Sequence, residues 1–238
     1  MLSGKRNSGS DPKGFLAIWC EMAASDLEDY RNWLTREHIA DRTFSPGFLS
    51  VRLFEAVDNM RSHFILYATE NADVLRGAAY KNILDNPSPW TRRIMPKFGP
   101  FDRALGEQVM KVGNGFGAHV AIWRLQVPTA DCDWAMIEAH LRKVIETSGI
   151  VSVRAFQVDR GVTERASEEK TMRSGGEGEF DVLLCAEAMS EQAAQRAERA
   201  LSQKLPELFP CLENHQSSCF RMIYGEAAHE GETQPSLD

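Results

Sequence analysis

Gly47-Phe48-Leu49-Ser50-Val51-Arg52-Leu53-Phe54 recurs as Gly149-Ile150-Val151-Ser152-Val153-Arg154-Ala155-Phe156. Upstream of each copy lies a second match, Ala17-Ile18-Trp19 and Ala121-Ile122-Trp123. A helical pattern separates the two matches both times. The same two stretches in the same order read as an internal duplication, and a repeat decides the fold before any single element does.

Period and punctuation supply the elements of the first copy. Residues 14–21 are apolar and β-prone, which predicts a strand. Ser25 and Asp26 offer an N-cap, after which Leu27, Tyr30, Leu34 and His38 fall at helical spacing. Ser45-Pro46-Gly47 turns the chain into a strand over 48–55, and Asp58-Asn59 marks a hairpin before a strand over 62–69. Asn71 caps a second helix to about Leu84. Residues 90–100 read as an ordered loop, and 104–112 as the fourth strand.

The second copy repeats the order. Strands are expected over 117–127, 150–159, 180–186 and 219–226. Asp131 or Asp133 caps one helix, and another runs from Ser190 to about Lys204, with Pro206 and Pro210 in the loop after it. The Gly113–Gly117 link between copies reads as a flexible hairpin. The insert 161–178 is so polar and charged that it reads as a mobile surface hairpin.

A β-α-β-β-α-β order gives a four-stranded antiparallel sheet with both helices on one face. Two such units can cover each other's bare faces. The expected fold is therefore α+β: tandem ferredoxin-like repeats, 14–112 and 117–226, fused into one α+β barrel. Residues 1–13 are expected to be a mobile lead-in, and the polar tail over 227–238 to fray.

Composition narrows the function. The 238 residues are 43% hydrophobic and 26% charged, with a formal charge of -7. That balance argues against a nucleic-acid partner, which calls for a basic stripe. No run is long and apolar enough for a membrane span, and the first residues lack the apolar core of a secretory signal. The five cysteines are odd in number and lack metal-type spacing, so free thiols in a reducing cytoplasm are expected, with no metal. Exposed sheet edges suggest a homodimer.

The repeat also points to a site. His38 and His140 each stand nine residues before the glycine that opens the next strand. A histidine near the mouth of the helix–sheet cleft suits proton transfer, because its ordinary pKa lies near neutrality; the plain alternative is a helix C-cap. Only the first copy surrounds its histidine with Trp33, Glu37 and Arg42. The second reads Ala135-Met136-Ile137-Glu138-Ala139-His140-Leu141-Arg142 and looks like a structural half. Glu37 could orient His38, and Arg42 could hold an anionic group. Trp90 and Arg92, on the loop after the second helix, could reach the same cleft, and Tyr80 could offer a phenolic proton. His63 opens the third strand and could face either way.

Trp33, Glu37-His38, Arg42 and Pro46-Gly47-Phe48, with the strand pair that follows, resemble the dimeric α+β barrel superfamily, in particular its EthD-like branch and two-repeat proteins of catabolic gene clusters. Asn86-Pro87-Ser88-Pro89-Trp90-Thr91-Arg92-Arg93-Ile94-Met95-Pro96 belongs to the same resemblance. It covers the first copy well and the second only in fold. It implies a pocket between sheet and helices, faced by a helix histidine. The superfamily holds cofactor-free monooxygenases, isomerases, lyases and haem proteins. The haem branch requires a histidine in the second half, for which His140 and His215 are the candidates.

The combined expectation is a cofactor-independent enzyme, a proton-transfer lyase, decarboxylase or isomerase, acting on a small aromatic anion. His38 and Glu37 would be catalytic, and Trp33, Arg42, Tyr80, Trp90 and Arg92 would bind substrate. A cofactor-free monooxygenase and a non-catalytic accessory protein are the alternatives.

Overall fold

The computed structural model describes residues 13–146, 149–163, 166–173 and 178–229. Eight strands close into one barrel in the order β1-β3-β2-β8-β5-β7-β6-β4. The first copy supplies β1 (Gly14–Met22), β2 (Phe48–Ala56), β3 (Ser62–Thr69) and β4 (Phe98–Gly113). The second supplies β5 (His119–Gln126), β6 (Ile150–Val158), β7 (Val182–Ala188) and β8 (Asn214–Ala227). Antiparallel seams between β2 and β8 and between β4 and β6 join the two sheets. The fold is the expected fused barrel of tandem ferredoxin-like units.

Closure explains why the strands read as unbroken apolar runs. Their side chains alternate between two buried environments instead of between core and water. Phe15, Ala17 and Trp19 of β1 point into the barrel with Phe54, Phe64, Phe156, Phe180 and Phe220. Leu16, Ile18, Cys20 and Met22 point outward, beneath the helices. A closed barrel also has no free sheet edge, so the edge argument for a homodimer does not hold.

The duplication is visible in the backbone. Gly47 and Gly149 both take left-handed conformations, with φ of 86° and 89°. A Cβ on Gly149 would lie 2.8 Å from Cβ of Ala193. Gly149→Ala is therefore expected to cost about 1–3 kcal/mol, from backbone strain plus this clash, read as a lower urea midpoint.

The first helix is not uniform. A 3-10 turn (Ala24–Asp26) leads into α1 (Leu27–Trp33), a π-turn (Leu34–His38) and then α2 (Ile39–Thr43). Helical spacing finds the axis but not the inserted residue of a π-turn, a feature common at functional sites.

Several expectations differ. The stretch read as a loop contains α4 (Pro89–Ile94), because Ser88 Oγ accepts from Thr91 N and Pro89 opens the helix. The helix after Asn71 is split at Gly77 into a 3-10 turn (Ala72–Arg76) and α3 (Ala78–Asp85). β4 begins at Phe98 rather than at Ala104. In the second copy Asp133 caps α5 (Trp134–Ile145). The helix after Ser190, α8 (Glu191–Leu208), carries Pro206 within it; burial of Leu205 and Leu208 holds the last turn in place. The Gly113–Gly117 link is not a hairpin, since β4 pairs with β1 and β6, and β5 with β7 and β8.

The insert differs most. It contributes α6 (Arg160–Thr163) and α7 (Glu168–Met172), and Glu169 and Arg173 are buried. Residues 164–165 and 174–177 of it lie outside the described residues, as do 1–12 of the lead-in and 230–238 of the tail. The start of the tail packs rather than frays: Ala228 N donates to Leu49 O, and the His229 ring stacks on Phe44.

Candidate active site

A cavity opens between the outer face of the first copy's sheet and its helices. The space it leaves free for solvent is about 30 Å³. The sheet contributes Ile18, Cys20, Ile65, Phe101 and Arg103 to its walls, and the first helix contributes Tyr30, Trp33, Leu34, His38 and Arg42. Ser167, Glu169, Lys170 and Arg173 of the insert cover it. The second copy thus roofs the site of the first. The equivalent space in the second copy is filled by Trp123, Ile137, Leu141, Leu201 and Leu205.

His38 is 3% exposed, and its ring lies 4.2 Å from that of Trp33. Arg42 Nη1 donates to His38 O at 3.0 Å and contacts His38 Nδ1 at 3.2 Å. A guanidinium can only donate, so Nδ1 is the acceptor and the imidazole proton sits on Nε2. Burial, and after it the Arg42 charge, holds the His38 pKa well below its ordinary value. His38 is therefore a neutral ring whose Nε2–H is a hydrogen-bond donor.

Arg42 does not face the cavity as a spare cation. It is 1% exposed, and its Nη2 donates to both Glu169 oxygens at 3.2 and 3.1 Å. Glu37 turns away from the cavity and accepts from Ser88 Oγ and Thr91 Oγ1. It holds α4 against the first helix, where Thr91 Oγ1 also accepts from Trp33 Nε1 at 3.1 Å. Trp90 donates to Asp29, and Arg92 is exposed on the outer side of α4. Of the sequence-stretch candidates, Trp33, His38, Arg42 and Tyr80 converge on the cavity walls, while Glu37, Trp90 and Arg92 do not.

Arg103 was missed by the motif reading. It is 7% exposed, lines the cavity and lies over the Tyr80 ring at 5.9 Å. Its Nε is enclosed without a hydrogen-bond partner, and among the described residues its guanidinium has no ion-pair partner. The available signal was its register: in β4 the alternation Phe101, Arg103, Leu105 sets a charge among residues that face the helices. Glu169 and Arg173 had no such signal, because a charged insert reads as a solvated face. Arg173 lies 3.9 Å over the Phe101 ring.

No family model matches this chain, and no curated protein matches it. Solved structures do. An anthrone oxidase-like protein aligns over 96% of this chain and 98% of its own, at 11% identity and a TM-score of 0.61. A candidate monooxygenase from Fusobacterium nucleatum aligns over 92% and 96%, at 9% identity and 0.56. A candidate chlorite dismutase aligns over 89% and 95%, at 12% and 0.51. This chain shares its fold with these proteins over nearly its whole length. At these identities the likeness concerns the fold, and what the cavity does has to be argued from its residues.

A haem held in the second copy would need His140 or His215 as its ligand. His140 is half-buried on α5, and the space beneath that helix is filled by side chains. His215 is exposed on β8 beside a polar cleft. Neither histidine faces an apolar cavity, so the second copy does not fit a haem ligated there.

Two other buried groups lie near the site. Cys20 Sγ lies 3.3 Å from Tyr30 OH, and burial pushes its thiol up to about 12, so it packs as a small apolar residue. His63 faces inward; its Nδ1–H donates to Arg61 O at 3.1 Å, and Nε2 is enclosed without a partner. Burial first, and the Arg31 charge second, lower its pKa from 6.5 to about 4. The unfolded chain therefore takes a proton below about pH 6.5 that the folded chain resists to about pH 4. His63's contribution is complete above that window and is lost as pH falls through it, up to about 3 kcal/mol in all. His63→Asn keeps a donor for Arg61 O. It is expected to narrow the gap between the melting temperatures at pH 7 and pH 4.5. An unchanged gap would show that His63 is already charged in the fold.

Proposed function

We propose that this protein is a cofactor-free oxygenase of small aromatic compounds that react as their anions. The observation that carries this reading is Arg103: a buried guanidinium at the cavity wall that has no ion-pair partner among the described residues. Leaving such a charge uncompensated is costly, and a bound phenolate or enolate offsets the cost. The His38 Nε2–H supplies a second donor to the same oxygen. Trp33, Phe98 and Phe101 provide the aromatic walls.

A proton-shuttling lyase or isomerase fits these groups less well. His38 Nδ1 is occupied by Arg42, and a second positive charge beside that guanidinium is disfavoured. Two cationic or donor groups around one oxygen instead stabilise a ligand that has already lost its proton to water. Such a carbanion or enolate is electron-rich enough to reduce dioxygen itself. An activated CH2 and O2 first give a hydroperoxide, which loses water to leave a carbonyl. Both oxygen atoms and all electrons are then accounted for without an added reductant. The EthD-like affiliation, read from Trp33, His38 and Arg42, remains part of this proposal.

The anthrone oxidase-like relative in fold suggests the probe. Anthrone in aerated buffer with purified protein and no cofactor is expected to consume one O2 per anthraquinone formed, well above the uncatalysed rate. Tight binding of anthrone with no acceleration would instead support the accessory-protein reading.

A further inference from the structure

We propose that residues 167–173, the roof of the helix-side cavity, form a lid that lifts to admit a ligand, with Glu169 on Arg42 as its latch. The inference rests on the reading above in one respect, that an aromatic ligand enters this cavity. The space free for solvent there is about 30 Å³, enough for about one or two waters. An apolar cavity that takes a single benzene ring measures about 150 Å³. No ring therefore reaches His38 or Arg103 until one wall moves.

The three walls differ in what their movement would expose. The sheet belongs to a closed barrel and cannot part without breaking strand pairs. The first helix holds Tyr30, Trp33, Leu34 and Ile39 at 1% exposure or less, and Trp33 and Glu37 tie it to Thr91 of α4. Lifting it would bring four large apolar side chains into water. The roof instead faces the cavity with Ser167, Glu169, Lys170 and Arg173, all polar. Met172 is the one apolar residue of the stretch and packs on the core beside the cavity. Polar groups can exchange their partners for water as they leave, so the roof is the wall that moves most readily.

The roof hangs from β4 at both ends. Before it, Leu105 N donates to Thr163 Oγ1 at 3.4 Å; after it, Gly178 N donates to Arg103 O at 3.0 Å. The two anchors are neighbours on one strand, so the roof is a strap whose ends lie close together. Between them, Glu169 accepts both bonds from Arg42 Nη2. Lifting the strap breaks this ion pair but lets water solvate both charges. Arg42 also occupies His38 Nδ1 and keeps the proton on Nε2. The contact that shuts the lid thus bears on the residue that fixes the donor a ligand meets.

Two native cysteines read the lid without any ligand. Cys20 lines the cavity at 3% exposure, and Cys185 lies inside the barrel at 1%. N-Ethylmaleimide, itself a ring, is the reagent, applied to the full chain and read by peptide mass spectrometry. Cys20 is expected to label at least about 100 times faster than Cys185, which waits for global unfolding. This comparison needs no variant to fold. Glu169→Gln, which keeps an amide oxygen and loses the charge, is expected to speed Cys20 about tenfold or more. The side chain of Thr91 bonds Trp33 and Glu37, neither of them on the roof. Thr91→Val should therefore speed Cys185 alone. Equal rates at Cys20 and Cys185 would overturn the proposal, as would Cys20 labelling that Glu169→Gln does not speed. Cys20 labelling that quickens with Thr91→Val would make the first helix the door and overturn it too. Anthrone turnover does not enter these rates, so the lid and the oxygenase reading fail separately.

Discussion

Glu169→Leu is expected to destabilise the fold by about 3–5 kcal/mol, the cost of leaving one partner of a buried ion pair alone. Arg42 is 1% exposed and gives both Glu169 oxygens a hydrogen bond. Without that carboxylate its remaining polar contacts are His38 O and Nδ1, neither of which carries a compensating charge. The double replacement Arg42→Leu with Glu169→Leu is expected to recover most of the loss, because an apolar pair of similar volume carries no desolvation penalty. A double-mutant cycle by urea denaturation gives the coupling. A Glu169→Leu loss below about 1 kcal/mol would mean that α7 lifts away and lets water reach Arg42. The roof over the cavity would then be a loose flap, not part of the fold's stability.

That ion pair marks where the sequence stops being informative. The repeat, the glycines at 47 and 149 and the apolar strand runs are local features, and each dictates backbone geometry wherever the chain goes. The barrel follows from them almost without further input. The first helix gave up His38 and Trp33 for the same reason, since both follow from spacing. Glu37 failed because adjacency along a helix does not fix the direction of a side chain: it lies next to His38 in sequence but faces α4 across the groove. Glu169 and Arg173 could not be found at all, because Glu169 meets Arg42 of the first helix across 127 residues and Arg173 lies over the Phe101 ring of β4, through packing that no periodicity records. Arg103 lies between these cases. A charge among helix-facing residues is an anomaly visible in the alternation of β4, although only the structure shows that it has no ion-pair partner among the described residues.

Arg103→Met therefore has the most to reveal about function, because its two effects run in opposite directions. Methionine fills a similar volume and brings no charge, so removing an uncompensated buried cation is expected to leave stability unchanged or raised. The same change removes the principal donor to the anion, and kcat/KM for anthrone oxidation is expected to fall about 100- to 1000-fold. Arg103→Lys should keep part of the activity, since a point charge replaces the fork. A residue retained only for packing would show the reverse pattern, with stability falling and turnover following it. If Arg103→Met is instead destabilised in proportion to its lost activity, the guanidinium is structural and the anion-binding reading fails. If stability holds and turnover collapses, the cavity spends folding free energy to hold a charge that only a bound anion can satisfy.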